Sequence, residues 1–163
     1  MPTFATLWNS HPNIKGDTPL LDKAVYENQC AINMSAAWMR SGTKLSGFTG
    51  TLSWEKDKQK YAVRAQELAN WFASLHSHLP KVQKFGGKDV FNAIKGATGI
   101  IFFQNYWGAG SQGDHIDLWN GNRLTTLDSW MRIHVRIGSL GMHSLGFGSD
   151  LQKAQATWFW ALP

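Results

Sequence analysis

The run Gly99-Ile100-Ile101-Phe102-Phe103-Gln104 constrains the fold more than any other stretch. Consecutive large apolar residues, β-branched and then aromatic, have the length and character of a strand buried in the middle of a sheet. Helices to cover such a sheet are expected before it. Thr3 is placed to cap a short helix carrying Phe4, Leu7 and Trp8, which stops before His11-Pro12. A second helix is expected from Cys30 to about Arg40, ended by Ser41-Gly42. From Lys58 toward Pro80 the residues Tyr61, Ala65, Leu68, Ala69, Phe72 and Leu75 recur at helical spacing, and Asp89 to Lys95 reads as a short helix stopped by Gly96.

After the apolar run the period changes to two. Between Asp114 and Trp119 the residues His115, Asp117 and Trp119 point to one side and Ile116 and Leu118 to the other. Asn120-Gly121 matches the type I′ hairpin signal, so Asn122 to Thr126 is expected to return as the antiparallel partner. Met131, Ile133, Val135 and Ile137 alternate with Trp130, Arg132, His134 and Arg136, which suits a further strand with a helix as the alternative, the glycines at 138, 141, 146 and 148 suit a loop, and Thr157 to Leu162 reads as a closing strand. Helices first and an antiparallel sheet after them make an α+β chain, and 163 residues without an internal linker suit one domain spanning 1–163.

Nine Trp and nine Phe in a chain that is 43% hydrophobic exclude a disordered protein. The net charge of +5 favours polyanionic partners. Its densest basic run, Lys56, Lys58, Lys60 and Arg64, carries no nucleic-acid motif and reads as a solvated helix entrance. The glycine-rich loop 108–113 lacks the Lys-Ser/Thr ending of a phosphate cradle. His76 and His78 have no Cys or carboxylate at ligand spacing, so neither a metal nor any other cofactor is expected. No stretch reaches the roughly 18 apolar residues of a membrane span. Met1 to Ser10 has no basic region followed by an apolar core, so synthesis in the cytoplasm without a cleaved signal peptide is expected.

Cys30 is the single cysteine, and no intramolecular disulfide can form. A lone cysteine is usually a small buried hydrophobe. Here, however, the polar pair Asn28-Gln29 precedes it and a helix starts at it, where unpaired N–H groups and the helix dipole favour a thiolate. His115, at the start of a strand, is the candidate base and proton donor.

A helix carrying Cys packed on a sheet whose strand opens with His is the layout of papain-like thiol hydrolases. Asn28-Gln29-Cys30-Ala31-Ile32-Asn33-Met34-Ser35, Gly99-Ile100-Ile101, Gly113-Asp114-His115-Ile116-Asp117-Leu118-Trp119-Asn120-Gly121 and the final Trp160-Ala161-Leu162-Pro163 resemble, in that order, the fourth family of type VI secretion amidase effectors. The resemblance implies a papain-like α+β fold. It also implies a bacterial toxin that cleaves peptidoglycan stem peptides between D-glutamate and meso-diaminopimelate. Such a toxin is injected by the type VI secretion apparatus into a rival's periplasm and is neutralised by a cognate immunity protein.

Carried onto this chain, the family's nucleophile falls on Cys30 and its base on His115. The family's third residue, an Asp after the hairpin, falls on Asp128, with Asp117 and Asn122 as alternatives. The Cys30 N–H is the natural oxyanion donor, and Gln29 or Asn28 is a candidate second. Trp107 and Trp119, flanking the His115 strand, are candidate groove walls. Two other classes compete. A Cys-His acyl transferase or deamidase would share the dyad and differ in acceptor, and a non-catalytic cell-wall-binding module would leave Cys30 inert.

Overall fold

A computed structural model describes residues 1–86, 90–107, 113–125 and 156–163. The apolar run forms β2 (Gly99–Trp107), which lies between β3 (Gly113–Trp119) and β4 (Ala156–Ala161), with β1 (Gln83–Phe85) outside β4. All pairings are antiparallel. Gly99 opens β2 because nothing larger fits, as a Cβ there would lie 2.1 Å from the Trp160 carbonyl oxygen. The end of the chain is sewn to the same place. Leu162 N–H donates to Thr98 O at 2.8 Å and Phe4 N–H to Pro163 O at 2.8 Å.

The two faces of the sheet bury different clusters. Ile100, Phe102, Ile116, Leu118 and Trp160 meet the apolar sides of α1 (Phe4–Ser10), α3 (Cys30–Arg40) and α4 (Ala65–Phe72). Ile101, Phe103, Trp119 and Phe159 meet Val90 and Ile94 from α5 (Val90–Ala93) and the following turn. β2 is therefore covered on both sides, as its unbroken apolar sequence demands. Thr3 caps α1 through its hydroxyl, and α2 (Pro12–Lys15) follows with His11 as the residue shared by both helix ends. These helices on an antiparallel sheet are the expected α+β, papain-like arrangement.

Three expectations change. The helix expected from Lys58 begins only at Ala65. Residues 61–63 instead run extended beside 51–53, with Ser53 N–H on Tyr61 O at 2.8 Å and Val63 N–H on Thr51 O at 3.1 Å. Aromatic Tyr61 and β-branched Val63 suit that conformation, and Ala62 N–H is held by the buried Ser35 hydroxyl of α3 at 3.1 Å. At its other end the helix stops at Phe72, before a 3₁₀ turn, and Leu75 is 92% exposed rather than core. The turn after β3 is also shifted by one residue from the expected Asn120-Gly121 centre. The bridge after β3 joins Trp119 to Leu124, Asn120 N–H donates to Arg123 O at 3.1 Å around Gly121-Asn122, and Asn120 Oδ1 accepts the N–H groups of Asn122 and Arg123. The expected strand over 131–137, the loop over 138–148 and Asp128 lie outside the described residues.

Candidate active site

Cys30 is the first residue of α3. The approach to it is fixed by Gln29, whose side chain is turned away from the thiol toward the preceding loop. Its Oε1 accepts the Leu20 N–H at 3.1 Å, and its Nε2 donates to Leu21 O at 2.6 Å. Asn28 faces the other way. Its Oδ1 accepts the Cys30 N–H at 3.1 Å, satisfying the very donor that an oxyanion would require. Cys30 itself is partly exposed and borders a pocket of about 370 Å³. Asn28, Val63, Arg64, Glu67 and Asp114 also line it, so charges of both signs stand beside the thiol. Glu67 holds the pocket wall together by accepting the Thr51 N–H at 2.6 Å.

His115 is the third residue of β3 and is only 6% exposed. Its ring stacks on Phe103, its cross-strand partner, with centroids 6.5 Å apart and planes 19° apart. Nε2 lies 3.5 Å from Asp117 Oδ2, which leaves Nδ1 as the nitrogen to serve the Cys30 thiol. Burial alone would push the imidazole down. The hydrogen bonds and charges of Asp117 and Cys30 outweigh it and raise the pKa from 6.5 to about 10.

Asp117 has no solvent exposure. Burial disfavours its charge, yet the His115 imidazolium, His11 and the Thr125 hydroxyl together bring it down to about 2. Its Oδ1 accepts the Leu118 N–H at 2.7 Å and the Thr125 hydroxyl. The carboxylate is thus clamped from the side opposite His115. A thiol at a helix start, an imidazole beside it and a buried carboxylate behind that can support a thiolate–imidazolium pair. Such a pair can attack an acyl carbon and protonate its leaving group.

The structure therefore brings Cys30, His115 and Asp117 together. Asn122 is exposed at the hairpin tip. Asp128 lies outside the described residues, as does the side chain of Trp107. Trp119 is not an open groove wall, because it is 2% exposed within the cluster of Ile101, Phe103 and Phe159. Gln29 is not aimed at an oxyanion, because the loop before α3 engages both ends of its amide. Two neighbours escaped the sequence reading: Thr125, which binds Asp117, and His11, buried between α1 and α2. His11 carries a faint signal, being a histidine immediately before a helix-opening proline. Among the described residues no three His, Cys, Asp or Glu side chains form a metal-binding group, and no helix is long and apolar enough to cross a membrane.

Residues 26–160 match the family model Tae4, described as type VI secretion system (T6SS), amidase effector protein 4. No curated protein sequence matches the chain. Among solved structures, the chain is similar to one in the type VI effector–immunity complex Tae4–Tai4 from Enterobacter cloacae, with a TM-score of 0.69 and 21% identity over 100% of this chain and 99% of that one. The crystal structure of the type VI effector Tae4 from Enterobacter cloacae gives a TM-score of 0.66 at 18% identity, covering 100% and 98% of the two chains. The Tae4/Tai4 effector–immunity system from Salmonella typhimurium gives 0.64 at 16% identity, covering 100% and 99%.

Proposed function

The chain belongs to the Tae4 family of type VI secretion amidase effectors, and on that premise we propose that it is a cysteine amidase hydrolysing the D-glutamyl–meso-diaminopimelate bond of peptidoglycan stem peptides. The observation that carries the reading is the Cys30–His115–Asp117 contact chain at the mouth of a pocket.

In the first half-reaction the Cys30 thiolate attacks the amide carbonyl carbon, and the carbonyl electron pair moves onto oxygen. The Cys30 N–H receives that oxyanion once the Asn28 side chain swings off it, and the Asn28 amide nitrogen is then placed to donate as well. As the tetrahedral intermediate collapses, the His115 imidazolium gives its proton to the departing diaminopimelate amine. In the second half, neutral His115 takes a proton from water, the hydroxide adds to the thioester, and the carboxylic acid leaves as the thiolate–imidazolium pair re-forms. Asp117 keeps the imidazole oriented and balances its charge throughout.

Delivery into a competitor's periplasm by the type VI apparatus and neutralisation by a cognate immunity protein follow from the same family reading. Tae4 of Enterobacter cloacae is seen in complex with Tai4, which supports an equivalent partner here. Expression of the chain directed to the periplasm of a susceptible bacterium tests the toxin reading. Wild type should lyse the cells and Cys30→Ala should not. Equal survival with both proteins folded and exported would reject it.

A further inference from the structure

We propose that His11 is a positioning residue of this site, acting as a neutral donor that orients the Thr125 hydroxyl onto Asp117 and so holds the carboxylate on His115; the inference rests on the cysteine-amidase reading above. His11 is 1% exposed at the junction of α1 and α2, far from the catalytic stretches in sequence. Its Nδ1 accepts the Asn13 N–H at 3.3 Å, as a helix cap does. That bond fixes the tautomer, since a nitrogen that accepts cannot carry the proton, and Nε2 must then be the N–H.

Nε2 points at two oxygens. Thr125 Oγ1 is 3.4 Å away and Asp117 Oδ1 is 4.0 Å away. The Thr125 hydroxyl has one proton and gives it to Asp117 Oδ1, so toward His11 it can only accept. The direction of the chain is thereby set: His11 Nε2–H to Thr125 Oγ1, Thr125 Oγ1–H to Asp117 Oδ1, and His115 Nε2 on Asp117 Oδ2. The opposite rotor of Thr125 would turn its proton away from the carboxylate. The 4.0 Å approach to Asp117 resembles an ion pair, but burial holds the His11 pKa below 6.5 and the contact is between a neutral ring and an anion. The nearby charges are Asp117 and His115 on β3, Arg40 at the end of α3 and Asp17 after α2. A second imidazolium there would compete with His115 for one carboxylate. A neutral donor supports Asp117 without that competition.

The test uses the whole protein and reads the site without any peptidoglycan substrate: the rate of Cys30 alkylation by iodoacetamide as a function of pH, beside the amidase rate. His11→Phe fills the space without a donor, Thr125→Val removes the hydroxyl at constant volume, and His11→Gln restores an N–H donor. We expect His11→Phe and Thr125→Val to slow Cys30 alkylation at neutral pH by about tenfold relative to wild type. The amidase rate should fall about tenfold or more, and His11→Gln should recover most of both. Should His11→Phe fail to fold, Thr125→Val and His11→Gln decide alone. An unchanged alkylation rate at neutral pH in a folded Thr125→Val or His11→Phe protein overturns the inference, as does a His11→Gln rate no closer to wild type than that of Thr125→Val. If the wild type alkylates as an ion pair but cleaves no peptidoglycan, the functional reading fails and the inference about His11 stands on its own readout.

Discussion

His115 Nε2 and Asp117 Oδ2 lie 3.5 Å apart, although the two residues are next-but-one neighbours on the same strand. Residues at that spacing sit roughly 7 Å apart along a strand, so each side chain must lean. Phe103 stacks on the His115 ring from the neighbouring strand. Asp117 is drawn by Leu118 N–H, Thr125 and His11. The contact is thus a product of the environment on both sides, and β3 presents the proposed base and its carboxylate partner on one face.

The first prediction is that Asp117→Asn loses at least about a hundredfold in amidase rate while the protein stays folded. An amide in that place keeps the shape but can hold the wrong imidazole tautomer. Asp128→Ala, assayed alongside, should cost far less. Equal or larger loss in Asp128→Ala would move the orienting role to Asp128.

The pH dependence of stability follows from the same pair. His115 binds its proton more tightly in the folded state, at about 10 against 6.5, so its contribution is complete below 6.5 and disappears as pH rises toward 10. Asp117 behaves oppositely, with a contribution present above 3.8 and lost as pH falls toward 2. Cys30→Ala removes one of the two groups whose hydrogen bonds and charge raise the His115 pKa. Thermal unfolding between pH 6.5 and 10 should therefore show a smaller alkaline loss in Cys30→Ala than in wild type. Parallel curves would mean that Cys30 does not charge-couple to His115.

Asn28 provides a third test, because its Oδ1 occupies the Cys30 N–H in the free protein. Rotation that presents the amide nitrogen to the oxyanion predicts that Asn28→Ala lowers kcat by about 10²-fold with little change in KM. An unchanged or higher kcat would show that Asn28 only caps the helix start.

Gly99→Ala should destabilise the fold without touching the chemistry. The new methyl would meet the Trp160 carbonyl at 2.1 Å and the Phe159 ring at 2.9 Å. Strand separation at that point is expected to cost about 2–3 kcal/mol, or roughly 5–10 °C in Tm. A Tm within a degree of wild type would mean that β2 and β4 can part there freely.

How much of this was legible in the sequence depends on which physics decides each element. The apolar run of β2 and the alternation of β3 are local patterns, and both strands form where the residues say. The Cys30 helix starts and stops as its composition indicates, because Ser41-Gly42 ends it and Gln29 precedes it. Residues 58–64 misled, since their apolar spacing fits a helix while Ser35 and the 51–53 segment, distant in sequence, supply a better set of backbone partners. In the site, Cys30 and His115 are visible as a helix start and a strand start. The reach from Asp117 to His115 is not, because it depends on leaning side chains, and His11 and Thr125 enter only because the junction of α1 and α2 meets Asp117 and the turn after β3 in the folded chain. Trp119 looked like a groove wall from its neighbours and is core because the second face of the sheet is covered.

The central claim is that Cys30, activated by His115, cleaves the D-glutamyl–meso-diaminopimelate amide, and it is tested most directly on purified peptidoglycan sacculi. Digestion by wild type and by Cys30→Ala, followed by mass spectrometry of the released muropeptides, should reveal a newly freed diaminopimelate amine with wild type alone. The same cleavage by Cys30→Ala, or intact muropeptides after incubation with folded wild type, would contradict it.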